Sequence, residues 1–478
     1  MIQLRPYQNE SIDAMSKGFA SHQRQILCLP TGSGKTVVFS EIVRRATQKN
    51  TQCLILTDRI ELFTQTFKAL SNRVNSIQVL SAGTRIQDFN PHAIVTVAMV
   101  ETIKRRFLFG YNPKLIIIDE AHKGNFNRVI ETYENAKVIG ATATPMGNHI
   151  PEFYHNIVNL IDIPELISQG YLAPCRAFQM QDDFSDLQVQ RNEYTEASQF
   201  GHFNKRKLYA GVVDEWVKRC HGKKTIVFNC NIEHSEQMTA EFNTRGIESY
   251  SITSKTPDAE RKEILKQFSA GTFPVLNNCG ILTTGYDEPS IECVVLNRKT
   301  MSLPLYLQMC GRGSRPYACK QYFTVLDFGM NHSEHGLWED PREWSLNKRK
   351  KGESIKAAPT KTCPKCDAML PAPIMTCKFC GFVYPVKESE PEEGVMVEVK
   401  SKVPEAIQGK SVSGLSVAEL FELQKSKRYK STFVWRIVRS KGEGAVREFA
   451  KLAGYRSGWV SRQMETISDN TITNFILR

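Results

Sequence analysis

Eight consecutive residues have the types and the spacing that bind a polyphosphate. Residues 29–36 read Leu-Pro-Thr-Gly-Ser-Gly-Lys-Thr, between a short apolar run and a segment with helical periodicity. The two glycines let consecutive backbone N–H groups turn toward phosphate oxygens, where a Cβ would obstruct the approach. The lysine can reach the β- and γ-phosphates, and the following threonine hydroxyl can hold a magnesium ion. The predicted phosphate-binding residues are Thr31, Gly32, Ser33, Gly34, Lys35 and Thr36.

An acidic pair follows the apolar run at residues 115–118. Asp119 falls at the tip of a buried strand, which is where a magnesium ion bound to phosphates needs its second anchor. Glu120, one residue further, points in another direction and can orient and deprotonate an attacking water. Such a pair is often merely solvated, but the phosphate loop upstream favours the catalytic interpretation.

Two arginines further along the chain are candidate ligands of the same phosphates. The sequence from Gln308 reads Gln-Met-Cys-Gly-Arg-Gly-Ser-Arg, so Arg312 and Arg315 are three residues apart. On a helical turn they would share one face, where two guanidinium groups can grip a γ-phosphate supplied by another lobe. We include Gln308 among the candidate catalytic residues. A solvated basic helix is the alternative interpretation.

Four of the thirteen cysteines have the spacing of zinc ligands. Cys363 and Cys366 form one CxxC pair, and Cys377 and Cys380 form a second, ten residues later. Each pair places two thiolates on one side of a tight turn, and together they can enclose a tetrahedral Zn²⁺. A redox site would need only one such pair. The other nine cysteines are scattered, which predicts reduced thiols in the core.

These candidates need a framework that brings them together, and apolar runs between them predict one. Strand-like runs alternate with helical patterns over residues 25–141 and again over 224–326. This alternation predicts two α/β lobes, each with a parallel sheet covered by helices on both faces. The polar stretch 180–204 has little periodicity, and we expect an interlobe connection or a surface insertion there. The predicted strands are 25–29, 53–57, 93–97, 115–118 and 138–141, then 224–228, 249–253, 274–277, 293–296 and 322–326.

The order of the motifs resembles that of a superfamily two helicase motor. In this resemblance Asp119–His122 corresponds to the DEAH motif and Thr142–Thr144 to the SAT-type motif. Gln8, whose amide can both donate to and accept from one base edge, falls in the adenine-reading motif together with Arg5. A polar helix N-terminus would explain Gln8 equally well. The resemblance implies two tandem RecA-like domains that hydrolyse ATP with Mg²⁺.

The same resemblance assigns residues outside the ATP motifs. Gly285 and Asp287 fall in the motif that joins nucleic-acid contact to nucleotide contact. Two further segments, residues 57–59 and 96–98, correspond to family segments that touch a nucleic-acid backbone, and we expect both to follow strands, as they do in the family pattern. The implied nucleic-acid contacts are Arg59, Thr96 and Thr284.

Departures from subfamily patterns favour a DNA-directed motor. DEAD-box proteins have Asp where this chain has His122, and commonly His where it has Gln308. The Gly-Glu-Thr of the RNA-specific DEAH group is absent from the phosphate loop. The best match is the bacterial and phage RadD-like proteins, relatives of the XPB group, in which a zinc ribbon is expected at the same place. The resemblance implies a role in DNA repair or recombination, with repair or single-strand-binding proteins as partners.

The composition of the chain suggests that it binds a polyanion. The chain has 478 residues and a net charge of +12, of which the residues after 340 contribute +10. Such a basic tail suggests nucleic acid, although a solvated basic surface is the alternative. No apolar run approaches the roughly 20 residues that cross a bilayer, so we expect a cytoplasmic protein without a membrane partner. In the last part, Trp435 and Trp459 fit either the core of a small helical unit or base stacking.

These patterns divide the chain into six segments. They also leave three alternative functions open. The chain could instead remodel RNA, serve as an ATP-gated scaffold that recruits a repair partner, or be the motor of a restriction enzyme. The predicted segments are 1–163 and 164–336 for the RecA-like domains, 337–360 for a basic linker, 361–386 for the zinc ribbon, 387–412 for a linker and 413–478 for a small basic unit.

Overall fold

The computed structural model describes most of the chain, in two compact units, Met1–Pro385 and Val386–Arg478. The described residues are 3–58, 60–71, 74, 76–106, 108, 110–147, 149–190, 193–283, 285–346, 360–384, 414–427, 434, 437–439, 441–455 and 460.

The first lobe is built on a sheet of seven parallel strands. These strands are β1 (Arg24–Cys28), β2 (Cys53–Thr57), β3 (Ile77–Leu80), β4 (Val95–Met99), β5 (Leu115–Asp119), β6 (Lys137–Thr142) and β7 (Asn156–Val158). Their spatial order is β3-β4-β2-β5-β6-β1-β7. Strand β5 is buried along its whole length. Its aliphatic residues pack on both faces of the sheet, as expected for a parallel sheet covered by helices.

In the described part of this lobe, six α-helices flank the sheet. They are α1 (Pro6–Gly18), α2 (Lys35–Thr47), α3 (Ile60–Ser71), α4 (Val100–Lys104), α5 (Asn127–Thr132) and α6 (Ile150–Phe153). A seventh, α7 (Ile163–Ser168), leads out of the lobe. Asp162 caps it by accepting a hydrogen bond from Glu165 N at 2.8 Å, because the Asp-Ile-Pro-Glu sequence forms a capping box.

The second lobe carries a mixed sheet of eight strands. They are β8 (Cys175–Gln179), β11 (Thr225–Asn229), β12 (Ser249–Ile252), β13 (Val275–Asn278), β14 (Cys293–Asn297), β15 (Phe323–Asp327), β16 (Thr360–Thr362) and β17 (Met369–Pro371), with a separate hairpin of β9 (Val189–Gln190) and β10 (Glu193–Tyr194). The order in the sheet is β12-β13-β11-β14-β15-β8-β17-β16. The helices are α8 (Glu196–Phe203), α9 (Arg206–Cys220), α10 (Ile232–Thr244), α11 (Asp258–Ala270), α12 (Leu303–Cys310) and α13 (Asn331–His335).

The predicted fold class, two tandem RecA-like α/β domains, is confirmed. All ten predicted strands are present, displaced by two residues at most. Seven strands of the described chain were not predicted. They are β3 and β7 at the edges of the first sheet, β8, which pairs with β15 inside the second sheet, and the short strands β9, β10, β16 and β17.

Of the two expectations for residues 180–204, the interlobe connection was wrong, and the surface insertion stays a prediction. This stretch contains the β9–β10 hairpin and α8, and it follows β8 directly, so it belongs to the second lobe. Helix α8 escaped detection because two of its buried residues, Gln199 and His202, are polar. The His202 ring lies between the carboxylates of Asp182 and Asp186, each 3.0 Å from a ring nitrogen.

The cysteine-rich segment is attached to the second sheet. Its hairpin, β16 and β17, is antiparallel, and Met369 of β17 pairs with Ala177 of β8. The boundaries of the six predicted segments remain predictions.

The second unit contains two described helices, α14 (Val417–Lys427) and α15 (Glu443–Leu452). Leu420, Val438 and Phe449 belong to its buried apolar cluster. Trp435 and Trp459 lie outside the described residues, as do 347–359 and 385–413, which hold most of the predicted linkers. No helix in the described parts of either unit is long and apolar enough to cross a membrane.

Candidate active site

The predicted phosphate loop joins the end of β1 to the start of α2. Gly34 caps α2 with a left-handed backbone, φ 87°, and Gly32 has φ 94°. These angles favour glycine, and they leave the first N–H groups of α2 free to bind an anion. Lys35 and Thr36 are the first two residues of the helix, as the sequence predicted.

Helix α1 braces this loop from one side. The Tyr7 hydroxyl donates to Ser33 O at 2.5 Å, and Gln8 Nε2 donates to the same carbonyl at 3.0 Å. Gln8 Oε1 accepts from Arg5 N at 3.0 Å, and the Gln8 residue is 4% exposed. The amide of Gln8 thus contacts protein backbone, and its reading of adenine stays a prediction. The Arg5 guanidinium lies 4.1 Å above the ring of Tyr171.

The acidic pair lies at the end of β5 and in the turn after it. Asp119 Oδ1 accepts a hydrogen bond from Glu120 N at 3.0 Å. Glu120 itself has a left-handed backbone, φ 54°, which turns its side chain away from the strand direction. Burial and then the charge of Glu120 raise the pKa of Asp119, whereas the charge of Lys35 opposes this rise.

One oxygen of Glu120 is buried without a hydrogen-bond donor. Glu120 Oε2 receives no hydrogen bond from the described chain. It is 3.3 Å from His122 Nδ1, but this nitrogen bonds instead to Thr142 Oγ1 at 2.9 Å. Burial lowers the pKa of His122, so its ring is neutral near pH 7. Thr142 Oγ1 also accepts from Thr144 N at 3.1 Å, which links the DEAH and SAT-type segments.

The two arginines lie in a turn after α12, which we call the arginine turn (residues 311–315). Helix α12 ends at Cys310, so the expectation of a shared helical face was wrong. Arg312 donates to Tyr286 O and, at 2.6 Å, to Thr283 O. Burial, followed by the charge of Arg315, lowers the pKa of Arg312 to about 10. Arg315 Nε donates to Asp287 Oδ1 at 2.9 Å.

The arginine turn of the second lobe faces the phosphate loop of the first. A Cβ on Gly32 would lie 2.2 Å from Arg315 Nη1, and a Cβ on Gly311 would lie 2.8 Å from Thr31 Cγ2. Arg315 Nη1 is buried and has no acceptor among the described residues. A positively charged donor without a partner, at a loop of open backbone N–H groups, fits an anionic phosphate.

Two family models match the lobes that form this site. The model described as type III restriction enzyme, res subunit, matches residues 1–147, and the model described as helicase conserved C-terminal domain matches 208–316. The chain belongs to superfamily two of the helicases. It is therefore an ATP-hydrolysing enzyme, and ATP with Mg²⁺ fits the phosphate loop and the orphaned Arg315 and Glu120 atoms beside it.

Relatives of this helicase occur in a phage, in bacteria and in eukaryotes. A 51.5 kDa protein of a Lactococcus phage (isolate 7-9) is 28% identical, over 92% of this chain and 95% of that protein. A Schizosaccharomyces pombe protein described as a mitochondrial ATP-dependent helicase, irc3, is 31% identical, over 71% of this chain and 59% of its own length. A human protein described as an ATP-dependent RNA helicase, DDX59, is 25% identical, over 65% and 50%. The chain thus spans only 59% and 50% of the length of these two helicases.

A solved structure shares the fold of the helicase lobes. The ATP-dependent type ISP restriction-modification enzyme LlaBIII, bound to DNA, aligns with a TM-score of 0.51 and 17% identity. The alignment covers 68% of this chain and 27% of that enzyme.

The predicted nucleic-acid contacts of the helicase are only partly described. Thr96 lies inside β4, is 0% exposed, and accepts a hydrogen bond from Gln78 Nε2 at 3.3 Å, so the expectation that it follows the strand was wrong. Arg59 and Thr284 lie outside the described residues. Gly285, with φ 74°, comes directly before Tyr286 and Asp287, whose carbonyl and carboxylate accept hydrogen bonds from Arg312 and Arg315. Gln308 lies in α12 and is 8% exposed.

Sequence reasoning missed Tyr7 and Lys123 beside this site, and it gave Asp58 only as part of the segment 57–59. Tyr7 braces the phosphate loop, and Lys123 pairs with Asp58, whose Oδ2 is 2.6 Å from Lys123 Nζ. Each lies next to a predicted motif, but no spacing rule connects residues that are so far apart in the chain.

The four cysteines of the ribbon converge as predicted. Their sulfur atoms all lie within 4.8 Å of one another, with 3.6 Å between Cys363 and Cys380 and 3.8 Å between Cys366 and Cys377. A tetrahedron with Zn–S bonds of about 2.3 Å has edges of about 3.8 Å. These separations exceed a disulfide bond and fit one Zn²⁺ ion.

Proposed function

We propose that this helicase is a DNA-stimulated ATPase that translocates on DNA or remodels it, with ATP bound at the seam between its lobes. One observation carries the proposal: the orphaned Arg315 Nη1 of the second lobe lies against Gly32 in the phosphate loop of the first. A γ-phosphate at this seam would be held by both lobes.

The first lobe would bind the nucleotide and the metal. Backbone N–H groups of residues 31–36 and the ammonium of Lys35 would hold the phosphates, while Thr36 and Asp119 would hold Mg²⁺. The bound ion neutralises charge on the phosphates. Gln8 and Arg5 would contact the base.

Glu120 would activate the water for attack on the γ-phosphate. Its Oε2 is buried and without a donor, so it is free to accept a proton or a hydrogen bond from water. Arg312 and Arg315 would stabilise the charge that develops on the transferring phosphoryl group. After hydrolysis the second lobe loses its shared ligand, which allows the lobes to separate.

The loop at residues 283–287 would connect this cycle to the nucleic acid. The carbonyls of Thr283 and Tyr286 hold Arg312, and the carboxylate of Asp287 holds Arg315. Nucleic acid bound at Thr284 and at Arg59 would therefore bias the position of the arginine turn.

DNA is the favoured substrate, and the RadD-like subgroup with a repair or recombination role is the favoured setting. The basic C-terminal part and the motif departures support DNA, and the structural neighbour LlaBIII was solved with DNA. RNA remodelling is the second candidate, since DDX59 is described as an RNA helicase. We propose a cytoplasmic location, in a bacterial or phage-infected cell.

A panel of nucleic acids tests this proposal. ATP hydrolysis by the full chain is measured with single-stranded, duplex and branched DNA and with RNA of matched length. DNA should stimulate the rate at least tenfold more than RNA, and Arg315→Ala should remove the stimulation. A larger response to RNA would establish the remodelling alternative, and a fully stimulated Arg315→Ala variant would refute hydrolysis at the seam.

A further inference from the structure

Lys320 is a half-buried lysine of the second lobe that the ATP motifs do not include. Its ammonium donates to Pro289 O at 2.7 Å, to Ile291 O at 2.9 Å and to Gly313 O at 3.0 Å. These bonds engage all three of its hydrogens, and a neutral amine could satisfy only two of the three carbonyls.

The three carbonyls belong to two segments, the arginine turn and the stretch that follows Asp287. Gly313 stands between Arg312 and Arg315 in the arginine turn. Pro289 and Ile291 follow closely on Asp287, the partner of Arg315. Lys320 therefore ties the backbone of the turn to the segment that already holds both guanidinium groups.

The turn is fixed on its inner side as well. A Cβ on Gly313 would lie 2.3 Å from Phe323 Cδ2, so the backbone there packs directly on a ring of β15. Phe323 blocks movement into the core, and Lys320 restrains movement along the surface. A shift of about 1 Å in a group that contacts the reacting atoms can change a rate on the order of a hundredfold.

We propose that Lys320 is a positioning residue for ATP hydrolysis, which holds the arginine turn where Arg315 meets the phosphate loop. This inference rests on the proposed role of Arg315. Lys320 touches no phosphate itself and acts through the backbone of Gly313.

The charge state of Lys320 supplies a signature of this role. Burial lowers the pKa of Lys320 to about 8; the nearby charges of Glu292 and Glu288 oppose this shift, and that of Arg315 adds to it. The lysine loses its third donor as the pH rises through that value. Hydrolysis should therefore decline on the alkaline side in a way that depends on Lys320.

Lys224 offers a matched control at the same end of the lobe. Its ammonium donates to Ser269 O at 2.9 Å and lies 4.0 Å from Glu288 Oε1. Burial also lowers its pKa. Within the described chain its ammonium forms no hydrogen bond or ion pair with residues 311–315, so Lys224→Met removes a similar lysine without touching the arginine turn.

The experiment compares Lys320→Met, Lys320→Arg, Lys224→Met and Arg315→Ala in the full chain, with saturating single-stranded DNA. Lys320→Met should lower kcat on the order of tenfold to a hundredfold and change KM for ATP less than threefold, because the phosphate loop is intact. Lys224→Met should keep kcat within twofold. Lys320→Arg, which does not lose its charge, should keep at least a third of kcat at pH 7 and should retain that rate at pH 9.

The outcomes separate this inference from the proposed function. If Arg315→Ala loses activity but Lys320→Met keeps the wild-type kcat, the positioning role of Lys320 is refuted. The proposed hydrolysis of ATP between the two lobes is then unaffected. If Arg315→Ala is fully active, the proposed function itself fails. A purely structural lysine would lower the melting temperature of Lys320→Met at unchanged kcat, or leave the alkaline decline unchanged in Lys320→Arg, and either result would overturn the inference.

Discussion

Lys123 Nζ lies 2.6 Å from Asp58 Oδ2, in an ion pair that joins the turn after β5 to the end of β2. Both side chains are largely buried, with exposures of 21% and 14%. Lys123 directly follows the DEAH segment, and Asp58 directly precedes Arg59, a predicted nucleic-acid contact. The pair therefore connects the segment proposed to sense DNA with the segment proposed to hydrolyse ATP.

Asp58→Asn should weaken the coupling between DNA and hydrolysis. We expect a fivefold to twentyfold loss of DNA stimulation with basal hydrolysis retained, and a loss of about 1–3 kcal/mol in stability because Lys123 keeps a buried charge without its partner. ATPase rates with and without single-stranded DNA, together with urea unfolding, measure both effects.

An exposed ion pair on α4 provides the control. Lys104 Nζ and Glu101 Oε1 are 2.9 Å apart, and the glutamate side chain is 56% exposed. Glu101→Gln should change stability by less than about 0.5 kcal/mol and leave stimulation intact. Equal stimulation in Asp58→Asn and the wild type would exclude the coupling role.

The lobes were predictable because their strands are unbroken aliphatic runs, as in the Leu-Ile-Ile-Ile of β5, and such runs have few other structural solutions. Helix α8 was not predictable, since its buried Gln199 and His202 gain their partners, among them Asp182, Asp186 and Lys299, from outside the helix. The position of Thr96 relative to β4 was mispredicted, because a threonine inside a buried strand looks the same in sequence as a threonine at the end of one.

The residues of the candidate site also divide into those that the sequence predicts and those that it does not. Motifs whose chemistry is local, such as the phosphate loop and the CxxC pairs, could be recognised from the spacing of their residues in the sequence. The contacts of Asp58 with Lys123, and of Lys320 with the carbonyl of Gly313, involve charged side chains whose neighbours in sequence do not indicate their partners. Only the packed chain brings such residues together.

Glu120→Gln should separate binding of ATP from its hydrolysis. Glutamine occupies the same volume but cannot accept the proton of the attacking water, so kcat should fall by about 10²–10⁴. The dissociation constant for ATP should change less than threefold, since Lys35 and the loop amides are unaltered. Single-turnover hydrolysis and equilibrium binding of a fluorescent ATP analogue measure the two steps, and hydrolysis at the wild-type rate would refute the assignment of Glu120.

Metal analysis should find one Zn²⁺ per chain, and Cys366→Ser should lose it. A ribbon of about 25 residues buries too little apolar surface to fold without its metal, so proteases should then cleave within residues 360–384. Cys319, which is exposed and outside the cluster, gives the control Cys319→Ser, which should keep its zinc. Wild-type protein purified without any zinc, or Cys366→Ser with a full complement, would contradict a four-cysteine site.

The buried ring of His234 should make the second lobe sensitive to acid. His234 is 1% exposed, its Nε2 is 3.0 Å from Asn297 Nδ2, and burial lowers its pKa from 6.5 to about 3. Below pH 6.5 this histidine takes up a proton in the unfolded chain but not in the folded chain, so the free energy of unfolding decreases as the pH is lowered. Between pH 7 and pH 5 this single group should lower the free energy of unfolding by about 2 kcal/mol.

His234→Gln removes this titration while keeping a polar group near Asn297. The difference in unfolding free energy between the wild type and His234→Gln should therefore shrink by about 2 kcal/mol from pH 7 to pH 5 in urea unfolding monitored on the second lobe. His92 is exposed, and the corresponding difference for His92→Gln should stay constant over this range. A constant difference for His234→Gln would mean that the folded lobe accepts the proton, and that the ring is not held neutral by burial.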